Sequence, residues 1–212
     1  MTNVITDIQP LEEDPNFRVV FVNNSPKITI PAIAVEKLGL ETEQLWTNEL
    51  SNQIKSFEDF ELATNMALKL ISTKAWGVKE LAARLIKRGI DSHTADLTTK
   101  QLCENGWLND FTYACARIRE WTRLEPASRA WLRHKLSERK LSDETANDAI
   151  NEELGERSEQ DAATQLATIR LSKAIGNDEA TVRRRVISAL GRRGFSSDVA
   201  AEALRRAQSE KT

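Results

Sequence analysis

The chain has 212 residues, 40% of them hydrophobic and 29% charged, with only 8 Gly, 5 Pro and 2 Cys, which excludes collagen-like, low-complexity and disulfide-scaffold classes. The formal net charge is −2, too small for bulk electrostatic attraction to nucleic acid. That figure hides a split: residues 1–60 hold ten acids and four bases, whereas the remainder holds 22 acids and 26 bases, so the two parts carry −6 and +4.

Residues 1–16 read as a flexible acidic lead, with Glu12-Glu13-Asp14 at its centre and Pro10 and Pro15 barring a helix. Phe17 to Val22 is β-branched and aromatic, Asn23-Asn24-Ser25-Pro26 has turn chemistry, and Lys27 to Ile30 alternates with period two. That pattern predicts a β-hairpin over 17–31. Pro31 suits the first turn of a short helix, Ala32 to Leu38, which Gly39 should stop. With Leu40, Leu45 and Trp46 this makes an amino-terminal hairpin and short-helix extension over 17–57.

From Ser51 onward helical periodicity dominates, and three segments match one another. In Val78–Ile90, Arg129–Leu141 and Arg183–Phe195 an apolar residue is followed four later by a leucine, then by Arg, then by Gly or Lys, then by a large apolar residue. The matched trios are Leu81/Leu85/Ile90, Leu132/Leu136/Leu141 and Val186/Leu190/Phe195, with Leu85, Leu136 and Leu190 as buried equivalents. Gly89 and Gly194 sit where a helix closes in a left-handed cap. N-cap residues follow at Asp91, Ser142 and Ser196, opening helices at about 92–105, 143–154 and 197–208. Preceding helices are predicted at about 58–74, 110–124 and 158–175. The unit is three helices, present as 58–108, 109–154 and, after a linker from Gly155, 155–212. The fold class is therefore mainly α: three tandem three-helix repeats forming an elongated curved solenoid, preceded by a small β-hairpin.

No apolar run approaches the ~18–20 residues of a membrane helix, and Met1 to Asp7 has neither a basic start nor an apolar core, so a soluble cytoplasmic chain is expected. His93 and His134 lack metal-ligand spacing and read as surface residues, and neither a nucleophile elbow nor a phosphate loop occurs. No enzyme, metal or cofactor is indicated. Cys103 and Cys115 read as small apolar helix residues, and Trp46, Trp76, Trp107, Trp121 and Trp131 as core packing. Asp110, just before a helix, reads as its N-cap.

The repeated segments resemble the RecX family, bacterial modulators of the RecA recombinase. The resemblance rests on Glu80-Leu81-Ala82-Ala83-Arg84-Leu85 with Lys87-Arg88-Gly89-Ile90, and on Gly106-Trp107-Leu108-Asn109-Asp110-Phe111-Thr112-Tyr113-Ala114. It rests also on Leu132 to Leu136 with Arg139-Lys140-Leu141. The second segment is similar to the family's Gly, aromatic, Leu, Asp-Asp, aromatic, Ala signature, with Asn109 replacing one acid. Lys140 stands where a glycine is usual, predicting a wetter or strained cap, and Thr99 stands where Ile150 and Leu204 occupy the other repeats. The resemblance implies a non-enzymatic, monomeric regulator that binds the RecA–DNA filament, limits recombinase and coprotease activity, and so modulates DNA repair and the SOS response.

Bases recur at matched repeat positions: Arg88, Arg139 and Arg193 at one, Arg84 and Lys135 at a second, Lys87 and Arg192 at a third, with Arg133 beside them. These eight are the candidate filament-binding residues; the alternative is that they only complement helix dipoles. A rival function is a stand-alone nucleic-acid binder using the Arg183-Arg184-Arg185 and Arg192-Arg193 runs, and the filament reading itself allows weak direct DNA contact. Residues 27–40 also resemble the swapped-hairpin DNA-binding half of AbrB-like regulators, with Glu43 where that pattern has glycine and no second hairpin after Trp46.

Overall fold

The structure, a computed structural model, describes residues 2–174 and 178–209. The chain divides into two compact units, one made of residues up to 73 with 82–101, the other of 74–81 with 102 onward.

The first unit opens with an antiparallel sheet of β1 (Ile5–Pro10), β2 (Phe17–Val22) and β3 (Ser25–Pro31), in that spatial order. Asn23 and Asn24, at φ 50° and 60°, make the two-residue turn with both central residues left-handed that suits the twist of a hairpin. The hairpin is as expected, but residues 1–16 are not a flexible lead. Residues 5–10 form a third strand, because Ile5 is fully buried and its backbone is held on both sides. The Ile5 amide donates to Gln44 O at 2.9 Å, and Ile5 O accepts from Glu43 N at 2.8 Å. Pro10 is tolerated at the end of this edge strand, where no partner needs its missing donor. The acids that dominate the segment's composition, Glu12 to Asp14, sit in the connection to β2.

Helix α1 (Ala32–Leu38) ends at Gly39, φ 60°, as predicted. Helix α2 (Asn48–Ile71) starts ten residues before the expected 58, because Thr47 accepts a hydrogen bond from Leu50 N and caps it there. Leu50 and Ile54, one turn apart, join Ile5, Val20, Ile30 and Leu40 in the core beneath the sheet. Further along, Ala63, Ala67 and Leu70 form a second buried stripe on the same helix. Residues 57 and 58 therefore lie within one unbroken helix. The swapped-hairpin reading fails, since a helix follows Thr47 and β1 occupies the free edge of β2. Glu43 does adopt φ 71°, the geometry that a glycine there would supply.

Helices α3 (Val78–Lys87) and α4 (Ser92–Glu104) span the division between the units. In the second unit α5 (Asp110–Thr122), α6 (Arg129–Glu138) and α7 (Asp143–Leu154) enclose Tyr113, Ile118, Leu132, Leu136 and Ile150. A separate core of Leu166, Leu171, Val186, Leu190, Phe195 and Leu204 lies among α8 (Glu159–Ser172), α9 (Glu179–Arg192) and α10 (Ser197–Ser209). The carboxyl end of the expected 158–175 helix falls partly outside the described residues.

The matched trios behave alike. Leu85, Leu136 and Leu190 are fully buried, and every other trio member is at most 8% exposed. Each such leucine contributes about 1.5–3 kcal/mol through burial. The caps repeat almost atom for atom: Ile90 N, Leu141 N and Phe195 N donate to Leu85 O, Leu136 O and Leu190 O at 3.2, 3.3 and 3.2 Å. Gly89, Lys140 and Gly194 supply the left-handed residue before them, at φ 97°, 66° and 82°. Lys140 is thus strained, as the missing glycine predicts. Asp91, Ser142 and Ser196 each accept from the amide three residues on, capping α4, α7 and α10. Thr99, where the other repeats have Ile150 and Leu204, is buried and satisfies its hydroxyl on Asp96 O at 3.1 Å.

Candidate partner-binding surface

Each cap places basic residues around the carboxyl end of α3, α6 or α9. The last turns hold Arg84 and Lys87 of α3, Lys135 of α6 and Arg192 of α9. Arg139 and Arg193 are the C-cap residues of α6 and α9. Arg84, Lys87 and Arg88 belong to one compact unit and the other five candidates to the other.

Their surroundings separate them. Lys87, Arg88, Arg133 and Arg192 are exposed, whereas Arg84, Lys135 and Arg193 are half-buried. Arg133 Nε donates to Asn147 Oδ1 at 2.9 Å, across from α6 to α7. Lys135 pairs with Glu138 at 2.8 Å and lies 5.8 Å from the Trp131 ring centre. Its hydrogen bond to the Glu138 carboxylate holds that group below the usual carboxylate range. Arg192 donates to Ser188 Oγ at 2.6 Å.

Arg139 and Arg193 do something different from the rest. Arg139 Nη1 reaches back to Glu80 Oε1 on α3, at 3.3 Å. The same carboxylate accepts from Tyr113 OH at 2.8 Å and pairs with Lys74 at 3.3 Å. Partial burial pushes the Glu80 carboxyl up, but the bonds from Tyr113 and Lys74 and the charges of Lys74 and Arg139 outweigh it and hold the group low. Burial and the Glu80 hydrogen bond push the Tyr113 phenol up to about 12. Arg193 reaches back in the same sense, to Glu125 Oε2 at 3.7 Å and Trp121 O at 3.3 Å, with its guanidinium 5.0 Å from the Trp131 ring centre. Glu125 also pairs with Arg170 at 2.6 Å and Lys173 at 4.0 Å. One repeat position thus fastens a cap to an acid near the start of the preceding matched helix.

Those acids, Glu80 and Glu125, were not singled out by sequence reasoning. A weak signal existed: Lys74 and Glu125 occupy one repeat position with opposite charge, so pattern-matching on residue type passes over them. Asp110 is corrected as well. Asn109 caps α5, accepting from Thr112 N at 3.0 Å, while Asp110 Oδ1 accepts from Val78 N at 2.8 Å and caps α3 instead. Sequence distance hides such a cap, since the pair is separated by 32 residues.

Trp46, Trp76, Trp121 and Trp131 are half-buried, and Trp121 meets Trp131 edge to face at 5.9 Å. Trp107 departs from the core reading at 61% exposed, because Leu108, 4% exposed, takes the inward position after the Gly106 turn. Cys115 is buried and Cys103 half-buried, and His93 and His134 are exposed. Among the described residues no three His, Cys, Asp or Glu side chains group to hold a metal ion, and no helix is long and apolar enough to cross a membrane.

No family model matches the chain. Curated relatives from two Streptococcus pneumoniae strains, ATCC 700669 and JJA, each named regulatory protein RecX, are 28% identical over 190 residues. Those alignments cover 89% of this chain and 72% of each relative. A crystal structure of a regulatory protein RecX superposes with a TM-score of 0.75 at 15% identity, covering 97% of this chain and all of the other. A second, RecX from Lactobacillus salivarius, gives 0.59 at 18% identity over 72% of this chain and 98% of its own.

Proposed function

We propose, from the chain's similarity to proteins named regulatory protein RecX, that it binds a RecA–DNA filament and restrains recombinase and coprotease activity. The observation that carries this reading is sequence similarity running through 89% of the chain to proteins named as RecX regulators. The role is regulatory and needs no catalytic step or cofactor. The protein acts as a cytoplasmic monomer, with SOS induction and homologous recombination as the processes it tempers.

The geometry supports a division of labour among the eight candidate bases. Arg139 and Arg193 spend their charge on Glu80 and Glu125 within the chain. Lys135 is likewise paired, with Glu138 on its own helix, so Arg84, Lys87, Arg88, Arg133 and Arg192 remain for an acidic partner surface. Dipole complementation accounts for about 0.3–1 kcal/mol of each terminal base and does not compete with such a role.

The test is RecA-driven strand exchange and ATP hydrolysis on single-stranded DNA, with and without the protein. Wild type should slow both. Replacing the exposed Lys87, Arg88 and Arg133 together by Glu should leave the fold intact with a modestly lower melting transition, about 0.3–1 kcal/mol being lost for each base that complements a helix dipole. Inhibition should then require at least tenfold more protein, with a deficit that shrinks as salt screens the reversed charges. A folded variant that inhibits at wild-type concentrations removes these residues from the interface.

A further inference from the structure

Strand β2 carries apolar residues on both faces, although the core of the first unit lies against only one of them. Val20 belongs to that core with Ile5, Ile30 and Ala34 of α1, and Val22 is buried on the same side. The alternation of a strand turns Phe17, Val19 and Phe21 the other way. Phe17 is 36% exposed, and Val19 and Phe21 are half-buried. Cross-strand partners frame them: Phe21 lies between Asp7 and Pro26, Val19 between Gln9 and Thr29, and Phe17 opposite Pro31. Leu11 N donates to Phe17 O at 3.1 Å, which sets Leu11 beside Phe17. An antiparallel sheet with one wet face alternates apolar with polar, whereas a near-continuous apolar run such as Phe17 to Val22 belongs to a strand covered on both sides.

The charge around this stripe is uneven. Glu12 and Glu13 sit in the connection that closes onto Phe17, exposed and without a partner among the described residues. Asp14 and Asp7 spend their carboxylates locally, on Asn16 and on Ile8 N with Gln9 Nε2. Arg18 falls on the core side by alternation and donates to Pro15 O and Phe17 O at 2.7 and 3.0 Å. Lys27, unpaired in the β3 bulge, lies at the Phe21 end. The Phe17 end is therefore the one that attracts a cation.

We propose that this outer face docks an amphipathic helix of a partner protein, with its apolar stripe along β2 and its basic end over Glu12 and Glu13. A lone extended segment gains its hydrogen bonds at a sheet edge rather than across a face. What buries a sheet face is a second layer, and over the width of one strand that layer is a helix. Phe17 to Phe21 spans about 14 Å at about 3.4 Å per residue, the length of roughly two and a half helical turns. This inference does not rest on the recombinase reading, and its test contains no recombinase.

The probe is a fluorescein-labelled helical peptide of about 18 residues, built of Leu, Ala and Lys, with leucines at i, i+4, i+7 and i+11 and lysines gathered at one end. It is titrated with full-length protein and followed by anisotropy. Phe17→Thr with Val19→Thr, which suits the outward positions of a strand, should weaken binding at least tenfold at an unchanged melting transition. Glu12→Gln with Glu13→Gln, in a connection away from the core, should weaken it several-fold and flatten its salt dependence. No binding by wild type, wild-type affinity in the Phe17/Val19 variant, or wild-type salt dependence in the Glu12/Glu13 variant would overturn the proposal. Equal binding of a peptide of the same composition with its leucines scattered would reduce the contact to charge and overturn it too. A collapsed melting transition in the Phe17/Val19 variant would place those side chains in the core instead. Self-association of the protein at micromolar concentration, abolished by the same double substitution, would give the face to a second copy and likewise overturn it.

Discussion

Lys140 pays for a backbone shape that its two counterparts adopt freely. Its φ of 66° places Cβ near the following carbonyl, a cost of about 1–2 kcal/mol for an L residue. Glycine there would remove that strain but lose about 0.5–1 kcal/mol to the freer unfolded chain. Lys140 is exposed, so little contact goes with it. Lys140→Gly should therefore stabilise the protein by about 0.5–1 kcal/mol, read as a higher urea midpoint at unchanged slope. A lower midpoint would mean that the lysine side chain holds the cap in place. A buried hydroxyl is a comparable local cost: Thr98 is fully buried, its Oγ1 has no partner among the described residues, and the equivalent positions are Ala149 and Ala203. Thr98 itself was passed over, but Lys140 was visible as a departure from the repeat, as was Thr99 beside Thr98, because a repeat defines what each position ought to be. Asp110 was not, because its partner Val78 lies in another helix and no periodicity connects them.

Among helices and caps, sequence equivalence does not mean equal duty. Gly89 and Gly194 occupy one repeat position and both close a helix. A Cβ at Gly89 would meet nothing within 4 Å. At Gly194 it would fall 2.5 Å from Ser128 Oγ and 2.7 Å from Trp131 Cβ, because this cap presses on the start of α6, where Ser128 N donates to Arg193 O at 3.0 Å. Gly89→Ala should thus cost only backbone strain, about 1 kcal/mol net. Gly194→Ala should cost about 2–4 kcal/mol, with overpacking added. Equal losses in denaturant melts would show that the approach of this cap to α6 is soft. The helix boundaries were legible wherever a capping side chain follows an apolar stripe, as at Asp91, Ser142 and Ser196. The start of α2 was missed because Ser51, Asn52 and Lys55 interrupt the apolar signal, and only the tertiary role of Leu50 and Ile54 explains why the helix extends to Asn48. Strand β1 was missed for the converse reason: two isoleucines among acids and prolines say little until β2 and the Glu43–Gln44 segment are there to receive the backbone.

For the whole chain, the question is which parts can stand alone. In stacked modules stability is roughly the sum of intrinsic module terms and nearest-neighbour interface terms. The cores around Leu136 and Leu190 each draw their residues from a short stretch, 113–150 and 162–207. The two stretches are joined by Glu125 with Arg170, Lys173 and Arg193, by the Arg193 stack on Trp131, and by the Ser128–Arg193 backbone bond. All of these lie within residues 106–212. A fragment of those residues keeps the Asn109 cap of α5 but loses Glu80, which leaves Tyr113 OH and Arg139 without their acid. Tyr113 sits close enough to the new end for water to satisfy its hydroxyl, so the loss should be a few kcal/mol rather than collapse. The fragment should therefore retain helical ellipticity and melt in a single cooperative transition, below that of the full chain. Within it, Glu125→Ala should lower amide protection in α8 to α10 and α5 to α7 by different amounts, since the two modules then open separately. A fragment without a cooperative transition would mean that residues before 106 are needed to hold the carboxyl-terminal helices, and that the repeated cores at Leu136 and Leu190 are not self-sufficient.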